Sequence, residues 1–154
     1  KIGKPLKDWN IKIFRGVLTG FNEAFIIDEN KKNELINADP KNAEIIKPIL
    51  RGRDIKKYYC KFENLYLIYS HSDIKKNDYP EIKKYLSKYK QKLLKRRGGM
   101  NKKTFKLPYK WWQLQVDYYS SGTFKNFEKE KIIYSNMAQE FEAYYDNNKL
   151  QEKI

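Results

Sequence analysis

One cysteine, Cys60, and one histidine, His71, are all that the 154 residues contain of either type. A lone cysteine excludes an internal disulfide, and with a lone histidine it falls short of the ligand set of a structural zinc site. The two lie on either side of an apolar stretch with no evident third partner, which suits structural residues better than a nucleophile and its base. Seven glycines are scattered as turn residues and form neither a Gly-x-x-x-x-Gly-Lys phosphate loop nor a Gly-x-Gly-x-x-Gly turn. No apolar run approaches the roughly 18 residues of a membrane-spanning helix, and no signal segment is recognisable, so an intracellular protein is expected.

Arginine is scarce too. Arg15, Arg51, Arg53, Arg96 and Arg97 are the only five among 33 basic residues, which outnumber 19 acidic ones and leave a formal net charge of +14. A field of that sign attracts a polyanion, either nucleic acid or an anionic membrane surface. The excess is nearly all lysine in a chain also crowded with Asn, Ile and Tyr, a mixture that an AT-rich genome encodes anyway. The arginines are therefore the more informative cations.

The length suits one domain with a core of its own. The chain begins at Lys1 and breaks off in "NNKLQEKI" without a closing turn, so residues 1–154 are expected to be a single domain cut from a longer protein. Alternation through Ile11, Ile13 and Val17, a break at Thr19-Gly20, and renewed apolar residues from Ala24 to Ile27 predict a hairpin. "DENKKNELINADP" predicts a short helix capped by Asp28 or Asn30 and ending before Pro40. "PKNAEIIKPIL" predicts a second helix that starts on proline, buries Ile45, Ile46 and Ile49, and leaves "RGRD" just past its end. "LYLIYS" predicts a buried strand. From Tyr79 to about Lys95 the spacing of Ile82, Tyr85, Leu86, Tyr89 and Leu93 predicts a helix with lysines outward, ended by Gly98-Gly99. A basic loop, "KRRGGMNKK", an aromatic turn in "LPYKWWQLQV", and strands in "EKIIYSNM" and "EFEAYYDN" complete the chain. The class is α+β, a mixed α/β chain without regular alternation.

Asp/Glu-x-Lys triplets of the nuclease kind begin at Glu29, Asp39, Asp54, Asp73 and Glu81. A chain this rich in acids and lysines yields nearly as many by chance, and none follows a Pro-Asp pair. What remains is suited to binding a phosphate backbone and bases: Arg51, Arg53, Lys56 and Lys57 beside Tyr58 and Tyr59, and Lys110 beside Trp111 and Trp112. Arginine offers paired donors to phosphate or guanine, lysine a point charge, and an aromatic ring a stacking surface. The alternative is that these tyrosines and tryptophans belong to the core while the cations face water.

The stretches "FRGVLTGFNEAFIIDE", "NAEIIKPILRGRDIKKYY", "ENLYLIYSH", "YPEIKKYLSKYKQKL", "KWWQL" and "KIIYSNM", in this order, resemble the TaqI-like target-recognition (specificity) domain. That domain follows the catalytic domain in adenine-specific DNA methyltransferases and type IIG restriction-modification enzymes. The likeness runs from about Ile11 to Met137. It is most specific at Gly16-x-x-Thr19-Gly20-x-Asn22-x-Ala24-Phe25 and at Ile45-Ile46-Lys47-Pro48 with Arg51-Gly52-Arg53-Asp54-Ile55.

The resemblance implies irregular small sheets with packed helices, closing over double-stranded DNA opposite the catalytic domain while an adenine is flipped out. It implies DNA contacts among Arg15, Thr19, Asn22, Lys47, Arg51, Arg53, Lys56, Lys110 and Trp112, with Asp54 orienting Arg51 or Arg53, and neither catalytic nor metal-binding residues. No cofactor is expected in this chain. S-adenosylmethionine, and Mg2+ if a nuclease is fused, belong to the parent enzyme, whose Asn/Asp-Pro-Pro-Tyr motif does not occur here. The partners implied are duplex DNA and the methyltransferase domain of the same polypeptide, with no membrane, in the bacterial cytoplasm at the nucleoid. An independent nucleic-acid-binding or regulatory protein, and a protein-interaction fragment docking through the basic helix from Tyr79, are the competing readings.

Overall fold

The apolar run at 65–68 is the strand on which the fold is built. In chain order the elements are a one-turn helix α1 (Asn22–Phe25), strand β1 (Ile26–Asp28), helix α2 (Glu29–Ala38), a 3-10 turn (Pro40–Glu44), strand β2 (Ile46–Pro48), a second 3-10 turn (Gly52–Asp54), strands β3 (Ile55–Lys56), β4 (Tyr59–Cys60) and β5 (Leu65–Ile68), helices α3 (Pro80–Ser87), α4 (Lys90–Leu94) and α5 (Phe124–Phe127), and strands β6 (Lys131–Tyr134) and β7 (Ala143–Asp146). The structure is a computed structural model and describes residues 3–5, 8–75, 77–96, 109–115 and 124–147. Arg97, the Gly98-Gly99 stop, the rest of the basic loop, the ends of "LPYKWWQLQV" and the last residues of the chain lie outside them.

Strand β5 is central in an antiparallel sheet of order β1-β5-β2, with Leu67 opposite both Ile26 and Lys47. A strand paired on both edges and covered by helices needs side chains that tolerate burial on both faces. Tyr66, Leu67 and Ile68 meet that demand and are buried with Phe25, Leu35, Ile46, Ile82, Leu86, Leu93, Trp112 and Leu114 in one core. The class is α+β, with small antiparallel sheets and packed helices.

Two expectations are corrected. Residues 10–19 form no regular element and are exposed through Gly16, and β1 pairs with β5 instead of folding back on them. The alternation of Ile11 and Ile13 favours a strand only where a partner edge exists, and the Thr19 to Asn22 turn sends the chain into α1 before β1 begins. The second correction is the helix over "PKNAEIIKPIL". Its first half is the 3-10 turn, and Ile46 to Pro48 form β2. Asn42 draws the turn inward by donating its side-chain amide to the Leu35 carbonyl at 2.7 Å. The two β-branched isoleucines then favour pairing with β5, and Pro48 is tolerated because β2 is an edge strand.

The helix capped at Asp28, strand β5, the helical segment from Tyr79 and the last two strands lie where the sequence predicts them, whereas α1, β3, β4 and α5 lie where it predicts no such element. Asp28 caps α2 by accepting from the Lys31 amide at 2.8 Å. The helix from Tyr79 is divided at Lys88 and Tyr89, whose amides donate three residues back, to Tyr85 and Leu86, and α4 continues its apolar face into the core through Leu93. Hairpin β6–β7 forms as expected. It packs beside β3 and β4, where the Tyr58 amide donates to the Ala143 carbonyl at 2.9 Å. Ile55 is buried there, apart from the main core.

Gly20 has φ +72°, and a Cβ added to it would stand 2.8 Å from Arg96 Cδ and 2.5 Å from Gln115 Oε1. A side chain at Gly16 would meet open space. Gly20→Ala is therefore expected to cost more than about 1 kcal/mol, and Gly16→Ala to stay within about 0.5 kcal/mol of the parent. Urea unfolding of the two variants checks this; equal midpoints would show that the close approach at Gly20 is not constraining.

Candidate nucleic-acid interface

The sequence-implied residues fall into two groups. The first is the Arg51 to Asp54 turn with the β3–β4 hairpin. Arg51 Nε and Nη2 donate to the two Asp54 oxygens at 2.9 and 2.8 Å, and the Arg51 amide donates to Asp54 Oδ2 at 2.8 Å. The Asp54 amide returns a bond to the Arg51 carbonyl at 2.9 Å. Asp54 is buried, with the Arg51 side chain partly over it. Hydrogen bonding from Arg51 holds the Asp54 carboxyl below its ordinary range, and the same bond raises the Arg51 guanidinium. This planar, two-pronged pair closes the turn. Gly52 lets the turn pass close to its neighbour: a Cβ there would lie 3.1 Å from Ser135 Oγ of the β6–β7 connection, which would have to shift slightly.

The expectation that Asp54 orients an arginine thus takes a definite form, with Arg51 as the partner. Arg53 is exposed and makes no ion pair among the described residues. Lys56 lies 3.5 Å from Glu142, and Lys61 lies 2.7 Å from Glu63. Arg53 and Lys57 are the cations of the group that make no ion pair among the described residues, although the charge of Arg53 helps to hold Asp54 ionised. Tyr58 and Tyr59 are exposed, so the core alternative fails for them.

The second group surrounds Arg96. Thr19 Oγ1 donates to Asn22 Oδ1 at 2.6 Å and accepts from the Phe21 amide at 3.1 Å, fixing the turn before α1. Thr19 is buried and Asn22 exposed. The guanidinium of Arg96 is buried and, among the described residues, donates to carbonyls: Leu93 at 3.0 Å, Thr19 at 2.7 Å, Gln113 at 2.9 Å and Trp111 at 2.8 Å. Burial pulls its pKa below the ordinary value, while Tyr109, 4.7 Å away from ring centre to guanidinium carbon, acts the other way. The segment carrying Lys110 and Trp112 is thereby tied to the Thr19 turn. Trp112 is a core residue, with Lys110 Nζ 5.5 Å over its ring. Sequence reasoning placed Arg96 only in a basic loop; its single hint was an arginine on the apolar face three residues after Leu93.

Lys47 is half-buried on β2, opposite Leu67, and Arg15 is exposed in the irregular 10–19 segment. Cys60 ends β4 beside Tyr144, while His71 sits in a turn after β5 and accepts from the Asp73 amide at 3.3 Å. The two serve separate parts of the fold.

No protein-family model matches the chain. Over 125 residues, 79% of its length, it is 30% identical to the type II methyltransferase M.MjaIV of Methanocaldococcus jannaschii. The chain spans 39% of that protein's length. The similarity relates it to part of a type II methyltransferase.

A carboxylate with a depressed folded pKa contributes stability that is present above its unfolded value, here the ordinary 3.8, and lost as pH falls through the folded one. Asp54→Asn is expected to cost about 1–3 kcal/mol near neutrality, the cost of leaving a buried donor set unpaired. The gap from the parent should shrink below about pH 4, as protonation of Asp54 brings the parent to the same state. Thermal melts from pH 7 to 3 decide the matter; a gap independent of pH would mean that the pair's charge does not matter.

Proposed function

We propose that this chain is the DNA target-recognition domain of an adenine-specific DNA methyltransferase or a type IIG restriction-modification enzyme. It binds duplex DNA and helps position the adenine, and the methyltransferase domain of the same polypeptide is its other partner. The observation that carries this reading is the similarity to a type II methyltransferase along 79% of the chain. The net charge of +14 and the exposed Arg53 and Lys57, which make no ion pair among the described residues, support it. S-adenosylmethionine belongs to the parent enzyme, and so does Mg2+ if a nuclease is fused; the chain holds neither the cofactor loop nor the Asn/Asp-Pro-Pro-Tyr motif.

Within the interface the two arginines have different tasks. Arg51 spends its paired donors on Asp54 and shapes the turn. Arg53, with its donors turned to solvent, contacts the DNA. Phosphate neutralisation supplies most non-specific affinity, so this chain should bind duplexes with little sequence preference and lose affinity steeply as salt rises.

The test is a salt titration of binding to a cognate and a random duplex. Arg53→Ala is expected to melt like the parent; it should lower the log–log salt slope by about one if Arg53 meets a phosphate, or, in the full-length enzyme, cost about 1–3 kcal/mol at the cognate site alone if it reads a base. Arg51→Ala should instead lose stability together with Asp54→Ala. Binding unchanged between about 50 and 200 mM salt would refute an electrostatic interface.

The chain alone is also expected to transfer no methyl group. Label appearing in DNA incubated with it and labelled S-adenosylmethionine would overturn the assignment to a recognition domain.

A further inference from the structure

The strands β3 and β4 are joined by a two-residue loop, Lys57-Tyr58, with Lys56 opposite Tyr59. Tyr58 has φ +71°, and it and Asn64 are the non-glycine residues at positive φ among the described residues. The second central position of a turn with this geometry ordinarily takes glycine or asparagine, because a Cβ there crowds the backbone. An aromatic residue in that conformation would be understandable if its ring were buried. It is not: Tyr58 is 82% exposed, and its neighbour Tyr59 is 60% exposed. The hairpin thus holds a large ring in water on a disfavoured backbone, and no packing in the fold offsets it. Strain of this kind is informative when the side chain it displays has a use outside the fold.

The surroundings indicate the use. The loop is pinned by the bond from the Tyr58 amide to Ala143, so the ring is presented on a fixed hairpin. Lys57 Nζ stands 5.4 Å from the ring centre, and the exposed Arg53 lies in the Gly52–Asp54 turn at the other end of the same hairpin. A projecting aromatic ring with a lysine beside it, on a hairpin that starts from an exposed arginine, matches a nucleobase flanked by phosphates, because the ring stacks on the base while the cations meet the backbone. A protein partner would have to match that rim with carboxylates.

We infer that Tyr58 is a base-stacking residue, inserting its ring against a nucleobase that has left the duplex stack. Lys57 and Arg53 take the neighbouring phosphates. The inference rests on the DNA-binding reading above and adds to it a residue and the kind of DNA that residue selects.

The probe is a duplex with a single bulged 2-aminopurine, compared with the fully paired duplex, at low salt. The parent chain should bind the bulged duplex several-fold more tightly and quench the fluorescent base. Tyr58→Phe should keep both effects. Tyr58→Gly relieves the backbone and should melt no lower than the parent, yet it should lose the quench and about tenfold in affinity for the bulged duplex, the change typical of one lost stack. Its affinity for the paired duplex should hardly move. If Tyr58→Gly binds and quenches like the parent while the parent binds DNA, stacking is refuted and the DNA reading stands. If the parent binds neither duplex, both fall, and the aromatic tip is left to a protein partner.

Discussion

The fold depends on a buried cation, Arg96, that has no anionic partner among the described residues. Arg96 closes the helical segment after Tyr79, and its guanidinium donates to carbonyls of Leu93, Thr19, Trp111 and Gln113. Those carbonyls come from three separate stretches of chain, which the one guanidinium ties together by meeting buried polar groups. Only a planar group with several fixed donors can satisfy four acceptors at once; a lysine at this place could not. The charge is tolerable because carbonyl dipoles surround it and two aromatic rings, Phe25 and Tyr109, lie within 5.5 Å and 4.7 Å of it. Gly20 follows from the same constraint, since its backbone must pass against the Arg96 stem.

The same residue type does three kinds of work here. Arg96 organises the interior, Arg51 closes a surface turn on Asp54, and Arg53 is left to solvent. What separates them is the partner the backbone provides. A guanidinium with all its donors engaged cannot meet a phosphate without breaking the contacts that hold its own segment, whereas a solvated one gives up only water. In a chain with a net charge of +14, the exposed cations without an ion pair among the described residues are therefore the informative ones. Lys56 and Lys61, paired with Glu142 and Glu63, add to the field but are partly answered within the fold.

Residues whose environment is local were legible in the sequence. The Asp28 cap, the apolar run of β5, the apolar face from Ile82 to Leu93 and the last two strands all show the pattern that their structure requires. The errors arose where a distant partner decided. Ile46 reads as helical beside Pro40 and becomes a strand because β5 offers an edge; Ile11 and Ile13 read as a strand and form none. At the site, the family resemblance implied that Asp54 orients Arg51 or Arg53 but could not say which. Trp112 and Tyr58 look alike as aromatic residues next to lysines, yet one is in the core and the other in water. Burial of that kind depends on tertiary packing, which a single sequence does not record.

The stretches most easily recognised turn out to be mostly scaffold. Thr19 and Asn22 bond to each other, Gly20 makes room for Arg96, Gly52 makes room for Ser135, and Arg51 holds Asp54. Each of these residues has a partner or a close neighbour inside the fold, so each leaves a sequence pattern whatever the domain binds. Residues that meet a partner are under no such internal constraint. Arg53 and Lys57 could be exchanged for many residues without disturbing the fold, and Tyr58 could be exchanged for glycine to its advantage. The residues on which the proposed recognition rests are thus the ones that the fold itself leaves unspecified: among the described residues Arg53 makes no ion pair, and the ring of Tyr58 is exposed.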